Sequence, residues 1–188
     1  MLVANFFAGP GCGKSTHASG LFYLLKRDGV NAEYIQEYAK DRTWGKDFNT
    51  LLFQPYVTAK QWFRLARLLE PVRTPGGLNI GQQVDIAVTD SPIPTGLLYP
   101  GVGCTEHWEE WVWEAFNSFE NVNFLLVRNS EYHPYNPKGR SQTEEESAQK
   151  DAEIENILRG RGVDYHKIVV GPRSLDEIHA IVLERLNR

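Results

Sequence analysis

The sequence predicts an α/β fold in which a parallel five-stranded sheet is covered by helices on both faces, and three observations predict it. Apolar runs of strand length alternate with segments of helical periodicity along the 188 residues. The first run opens directly into a glycine-rich loop and then a helix, the order in which a parallel crossover unit begins. A later run, 85–90, is apolar throughout its middle and ends in a carboxylate, as expected of a strand buried on both faces.

Leu2–Phe7 is the first strand. Over Lys14–Arg27, Ala18, Leu21, Phe22 and Leu25 fall at helical spacing, and Asp28 with Gly29 ends that helix. Residues 32–36 read as a second strand, followed by a polar connector through Trp44. A helix is expected over 54–70, with Trp62, Phe63, Leu65, Ala66 and Leu69 on one broad face and Pro71 as its stop. The Pro- and Gly-rich stretch 73–81 is expected as a loop, and 85–90 as the third strand. A long loop through Pro100, Gly101 and Gly103 leads to a helix with Trp108, Val112, Ala115, Phe116 and Phe119 inward. Residues 123–127 are the fourth strand and 165–170 the fifth. Thr143 with Glu146, and Ser174 with Glu177, have capping-box spacing ahead of two further helices.

With 41% hydrophobic residues the chain can bury one good core, so a single domain over 1–188 is expected. Cys12 and Cys104 are its only cysteines, too few for a disulfide framework or a zinc site, and a reduced, cytoplasmic compartment is expected. Leu2–Phe7 lacks the basic leader of a signal peptide, and no apolar stretch approaches the roughly 18 residues of a membrane span. Lys+Arg 20 against Asp+Glu 24 gives a net charge of −4. No global field attracts a polyanion, so any nucleic-acid contact must be local.

The sharpest motif is Ala8-Gly-Pro-Gly-Cys-Gly-Lys-Ser15, lying between the first strand and the first helix. This is the context a phosphate-binding P-loop requires. It departs from the usual pattern where Ala8 takes the first glycine position, which Ala can fill if its φ is negative. Gly9, Pro10, Gly11, Cys12 and Gly13 would curl main-chain N–H groups around phosphate oxygens. Lys14 would reach the β- and γ-phosphates, Ser15 would hold magnesium, and Thr16 would support the α-phosphate. ATP with Mg2+ is the expected ligand, on a three-layer P-loop NTPase fold.

A P-loop does not fix the fate of the phosphate. The guanine-reading N-K-x-D and the switch D-x-x-G of GTPases are both missing from the sequence. Ring ATPases and helicases usually need more chain than 188 residues, so a small kinase is expected. Asp90, before Ser91 and Pro92, stands at the carboxyl end of the third strand, where doubly wound sheets place ligand-binding groups. It is read as a magnesium ligand or as the acceptor of a proton. Glu37, ending the second strand, is the other candidate general base. The turn-rich stretch 132–143 carries Lys138 and Arg140 and is read as a cationic lid that stabilises the transferring phosphoryl group. Lys60, Arg64 and Arg67 stand i, i+4 and i+7, a basic stripe set opposite the apolar face. It would grip an acceptor's phosphate, with Gln54, Gln61, Tyr56 or Trp44 available for a base. His17, His107, His133, His166 and His179 show no ligand spacing. Arg159 and Arg161 read as complements to a helix C-terminus.

On these residues the chain resembles the P-loop nucleoside and nucleotide kinases, and more closely a bacteriophage group related to thymidylate kinase. The segments that carry the resemblance are Ala8 to Thr16, Gln36 to Lys40, Thr89 to Pro92 and Gly139 to Thr143. The phage group includes enzymes that phosphorylate 5-hydroxymethyluracil already present in DNA. The resemblance implies the kinase-type sheet order 2-3-1-4-5, a nucleotide or DNA acceptor, and the host cytoplasm as location. It leaves a homodimer open. Glu37 matches the acidic residue after the second strand of such kinases. Where those kinases carry an Asp-Arg pair after the third strand, this chain has Asp90 and Ser91, leaving the Arg's task to Arg140 or Arg128.

Overall fold

The computed structural model describes residues 1–69, 72–73, 79–80, 84–132, 134 and 143–187. Five strands, β1 (Leu2–Phe7), β2 (Ala32–Ile35), β5 (Ile86–Thr89), β6 (Glu120–Val127) and β7 (His166–Val169), form one sheet in the order β2-β5-β1-β6-β7. Every pairing in it is parallel. Counted within this sheet, the order is 2-3-1-4-5, as the kinase resemblance implies. All six residues of β1 are buried, which places it at the centre. Its side chains alternate: Leu2, Ala4 and Phe6 enter one core, and Val3 and Phe7 enter the other. The first core is closed by α1 (Lys14–Arg27) and α7 (Ser174–Leu186) through Leu21, Leu25, Ile178 and Val182. The second is closed by α4 (Gln54–Ala66), α5 (Trp108–Asn117) and α6 (Glu144–Gly160) through Leu65, Val112, Phe116 and Leu158. Each such fully buried side chain is worth about 1.5–3 kcal/mol, so the two cores hold the three layers in register.

Several expectations change. The polar connector after β2 is helical: α2 (Tyr38–Trp44) and α3 (Phe48–Leu51) fill it. Tyr38 is buried there with the guanidinium groups of Arg42 and Arg64 each 5.2 Å from its ring. Tertiary contacts therefore make a helix where no apolar periodicity announces one. Helix α4 ends at Ala66, and its inward face carries Gln54, Val57, Thr58, Gln61 and Leu65, whereas Phe63 and Leu69 are exposed. Val72–Arg73 and Asn79–Ile80, β3 and β4, pair antiparallel, and all but Val72 fall in the stretch 73–81 expected as loop. The loop after β5 contains a 3-10 helix, Ile93–Leu98.

Strand β6 starts three residues earlier than its apolar run suggests, because the buried Asn5 amide donates to Asn121 Oδ1 at 2.9 Å and Asn123 Oδ1 at 3.0 Å. Polar side chains that satisfy one another across strands belong to the sheet as well as apolar ones do. The Thr143–Glu146 capping box forms. The Ser174–Glu177 box does not: α7 is preceded by Arg173 without a side-chain cap, and Ser174 Oγ instead donates to the Gly171 carbonyl at 2.7 Å. No helix among the described residues is long and apolar enough to cross a membrane.

Candidate functional site

The loop Ala8 to Ser15 joins the carboxyl end of β1 to the first turn of α1, so the helix's unpaired N–H groups face the same space as the ends of β5 and β2. Gly11 and Gly13 take φ of 82° and 92°, the left-handed values that let successive N–H groups point inward and that a side chain would oppose. Lys46 is the one non-glycine residue with positive φ among the described residues, so Ala8 meets its condition. Lys14 Nζ donates to the carbonyls of Ala8 at 2.8 Å and Gly9 at 3.1 Å. Thr16 is exposed. Cys12 is buried, its Sγ 3.5 Å from the Leu126 carbonyl. Burial and the charge of Asp151 raise its thiol pKa to about 11, so it acts as a small core residue.

Asp90 follows β5 and is 3% exposed. Its Oδ2 accepts a hydrogen bond from Ser15 Oγ at 2.5 Å, while its buried Oδ1 has no partner. A buried carboxylate oxygen without a donor is costly unless a cation meets it, and a hydroxyl beside that carboxylate is the oxygen set Mg2+ takes in P-loop proteins. The residues present fit that ion. Tyr34 in β2 lies close by; burial and the Asp90 charge push its hydroxyl pKa up.

Glu37 sits at the N-cap of α2 without a side-chain capping bond. Burial raises its pKa, opposed by Lys14, with Asp90 adding to the rise. Burial lowers the Lys14 pKa, opposed by Glu37 and then, among others, Asp90. Lys14, Glu37 and Asp90 therefore share one electrostatic neighbourhood at the carboxyl ends of β1, β2 and β5. Gln61 Oε1 accepts from the Tyr38 N–H at 3.0 Å and its Nε2 donates to Thr89 Oγ1 at 3.3 Å. It thereby ties the residue after Glu37 to the residue before Asp90.

Other expected residues are engaged elsewhere. Gln54 is buried and donates to the Leu51 carbonyl at 2.8 Å, and Gln61 is likewise buried, so neither offers its amide to a ligand. Arg64 donates to the Gln36 carbonyl at 2.8 Å and pairs with Asp41 at 2.6 Å, which makes it a strut between α4 and α2. Arg67 is exposed. Arg161 bonds Glu109 and Glu110 of α5 rather than only its own helix end. Lys138 and Arg140, with most of the expected lid over 132–143, lie outside the described residues.

Two links escaped the sequence reading, which named Arg128 only as a stand-in for the kinases' missing Arg and gave His17 no role. Arg128, just past β6, donates to Asp151 Oδ2 at 3.0 Å and to the Pro10 carbonyl at 3.0 Å, and its Nη1 is buried without a partner. Asp151 Oδ1 in turn accepts the Gly9 N–H. The pair clamps the phosphate loop to α6. A signal was present, since Ser147, Asp151, Ile154 and Leu158 follow helical spacing and a carboxylate interrupts that inward stripe. His17 is the other: its Nε2 lies 2.8 Å from Ser174 Oγ and its Nδ1 2.9 Å from the Gly13 carbonyl, fastening α1 to α7.

A family model described as an AAA domain matches residues 5–174, a span that includes the phosphate loop, Glu37, Asp90, Arg128 and Asp151. A comparison with curated proteins returns no match. The match removes the argument from length against that class, because the domain fits within this chain. Proteins of this fold bind nucleoside triphosphates with Mg2+. With its glycine loop, its parallel sheet and a family match over most of its length, the chain belongs to the AAA domain family of P-loop NTPases.

Proposed function

We propose that this protein is an ATP-dependent phosphotransferase that moves the γ-phosphoryl group onto a hydroxyl of a nucleotide-like acceptor, the hydroxymethyl group of 5-hydroxymethyluracil in DNA. The observation that carries the reading is the shared electrostatic neighbourhood of Glu37, Lys14 and Asp90. In this reading Glu37 is the base, and Lys14 and Asp90 are the groups that face the triphosphate. The sheet order supports a kinase, being the one the resemblance implies. The phage-like segments support the DNA acceptor.

In this reading the N–H groups of the loop and Lys14 hold the β- and γ-phosphates of ATP, and Ser15 and Asp90 hold Mg2+. The ion supplies charge withdrawal from the phosphate oxygens. Glu37, made more basic by burial, takes the proton of the acceptor hydroxyl as its oxygen attacks the γ-phosphorus. The bond from that phosphorus to the bridging oxygen breaks, ADP leaves with the electron pair, and a phosphate monoester forms. Lys138 and Arg140 would stabilise the transferring phosphoryl group, and Arg128 steadies the loop through Asp151 and the Pro10 carbonyl.

The AAA domain match favours a second reading, an ATP-hydrolysing regulatory module in which Glu37 orients water. Labelled ATP offered with thymidine, thymidine monophosphate, and oligonucleotides with and without hydroxymethyluracil separates the two. Label on the modified oligonucleotide is expected. Label only on a mononucleotide overturns the DNA acceptor. Label on no acceptor, with hydrolysis stimulated by a protein partner, overturns the transferase.

A further inference from the structure

Helix α4 carries a stripe that its sequence disguises. Tyr56, Lys60, Phe63 and Arg67 stand at i, i+4, i+7 and i+11, so they lie within one narrow face. That face is turned to solvent: Tyr56 is 42% and Phe63 61% exposed, and Lys60 and Arg67 are exposed as well. Aromatic and cationic side chains therefore alternate along one open edge. The two rings stand about 10 Å apart along the axis at 1.5 Å per residue, and the Lys60 ammonium lies 5.3 Å from the Tyr56 ring centroid. Among the described residues neither Lys60 nor Arg67 pairs with an acid.

Charge isolates this region further. Residues 38–67 hold six cations, Lys40, Arg42, Lys46, Lys60, Arg64 and Arg67, against Asp41 and Asp47. This surplus of four sits in a chain whose net charge is −4. Both acids are already paired inside the region, Asp41 with Arg64 and Asp47 with Arg42. Tyr56 meets Tyr38 edge-on with centroids 6.0 Å apart, and Tyr38 follows Glu37 directly. One end of the stripe thus adjoins the crevice.

We infer that this face of α4 binds single-stranded DNA, with bases stacking on Tyr56 and Phe63 while Lys60 and Arg67 meet the intervening phosphates. Rings offer a sequence-tolerant stacking surface and the cations supply a salt-dependent term, the combination that single-strand binders use. For its acceptor the inference rests on the phosphotransferase reading, since the stripe would lead the strand toward Glu37.

The test is fluorescence anisotropy of a labelled oligothymidylate of about 16 nucleotides with the full chain across a salt series, beside calorimetry of Mg·ATP binding as a check that each variant is folded. Binding that weakens with salt is expected. Tyr56→Ala and Phe63→Ala should each cost about tenfold in affinity, and Lys60→Gln should lower the salt slope by about 0.7. Variants that bind like the parent, or a parent that does not bind, overturn the inference. So do tighter binding of oligouridylate and a parent dimer that Phe63→Ala dissolves, the latter marking the face as a contact between copies of this chain. Oligonucleotide binding without transfer to any acceptor sinks the kinase reading and leaves the stripe standing. Transfer to thymidine monophosphate without oligonucleotide binding does the reverse.

Discussion

Ser15 and Asp90, 75 positions apart in the chain, are joined by a hydrogen bond of 2.5 Å between hydroxyl and carboxylate. The bond locks the start of α1 to the end of β5 and leaves the second carboxylate oxygen of Asp90 buried and unpaired. Asp90→Asn keeps the volume and the acceptor for Ser15 but removes the charge a cation needs. Its Mg2+ requirement should rise and its turnover fall by about 10²- to 10³-fold. Thermal stability without nucleotide should hold or increase, because an incompletely partnered buried charge is gone. A magnesium titration of activity with scanning calorimetry checks both, and an unchanged magnesium dependence would move the metal away from Asp90.

Lys14 donates to two carbonyls of its own loop, and burial holds its pKa below the ordinary lysine value. Lys14→Ala should reduce phosphoryl transfer to background while circular dichroism stays that of the parent, since the loop's turn is set by Gly11 and Gly13. The sign of the shift gives a second expectation. A lysine with a lowered pKa loses its proton earlier as pH rises, so Mg·ATP affinity should decline below the roughly 10.4 of a free lysine. Affinity constant through that range would show that the ammonium does not hold phosphate.

The parts legible in the sequence are those governed by local pattern. The loop with its flanks is read correctly because strand, glycine spacing and helix each carry an independent signal, and strands alternating with helices announce a sheet covered on both faces. Glu37 and Asp90 share a crevice because parallel strands bring their carboxyl ends together. Long-range polar partnering was not legible. Arg64 looks like a free cation until Asp41 and the Gln36 carbonyl arrive from another helix. Phe63 counts as core by periodicity, yet Gln61 and Thr58 take the inward positions because buried hydrogen bonds await Gln61 from Tyr38 and Thr89. Asp151 falls on the inward stripe of α6, but periodicity does not name its partners, the Gly9 N–H and Arg128.

The raised pKa of Glu37 ties function to stability. Its folded carboxyl binds a proton more readily than its unfolded one, so the stabilising share is present at acid pH and is lost as pH rises through the folded value. Glu37→Gln removes that loss. Its melting temperature should exceed the parent's by a few degrees between about pH 6 and 8, on the scale of about 2–4 °C per kcal/mol, and the two should converge at about pH 4. Turnover should drop by about 10²-fold or more with Mg·ATP binding kept. The parent's activity should fall on acidification at a pH above the ordinary glutamate range, and the variant should lack that limb. Unchanged turnover would transfer the role of base to Asp90.

The clamp on the phosphate loop makes the sharpest demand on packing. A Cβ built on Gly9 would stand 2.3 Å from the Ser147 carbonyl oxygen and 2.8 Å from Asp151 Oδ1. The first of these is main chain of α6 and cannot swing aside, so Gly9→Ala must displace either the loop or the helix, at about 1–3 kcal/mol. Asp151→Asn acts on the same circuit from the other end, leaving the Arg128 guanidinium short of its anion. Breaking such a pair costs about 3–5 kcal/mol when fully buried. The lower end applies here because the two side chains retain 14% and 24% exposure. Both variants should weaken Mg·ATP binding, since the Gly9 N–H and the Pro10 carbonyl lose their anchors together. Once the loop has been pushed off α6 the second change has little left to break, so urea unfolding of the double variant should show a loss smaller than the sum of the singles. Additive losses would mean that Gly9 and Asp151 act independently and that α6 does not hold the loop.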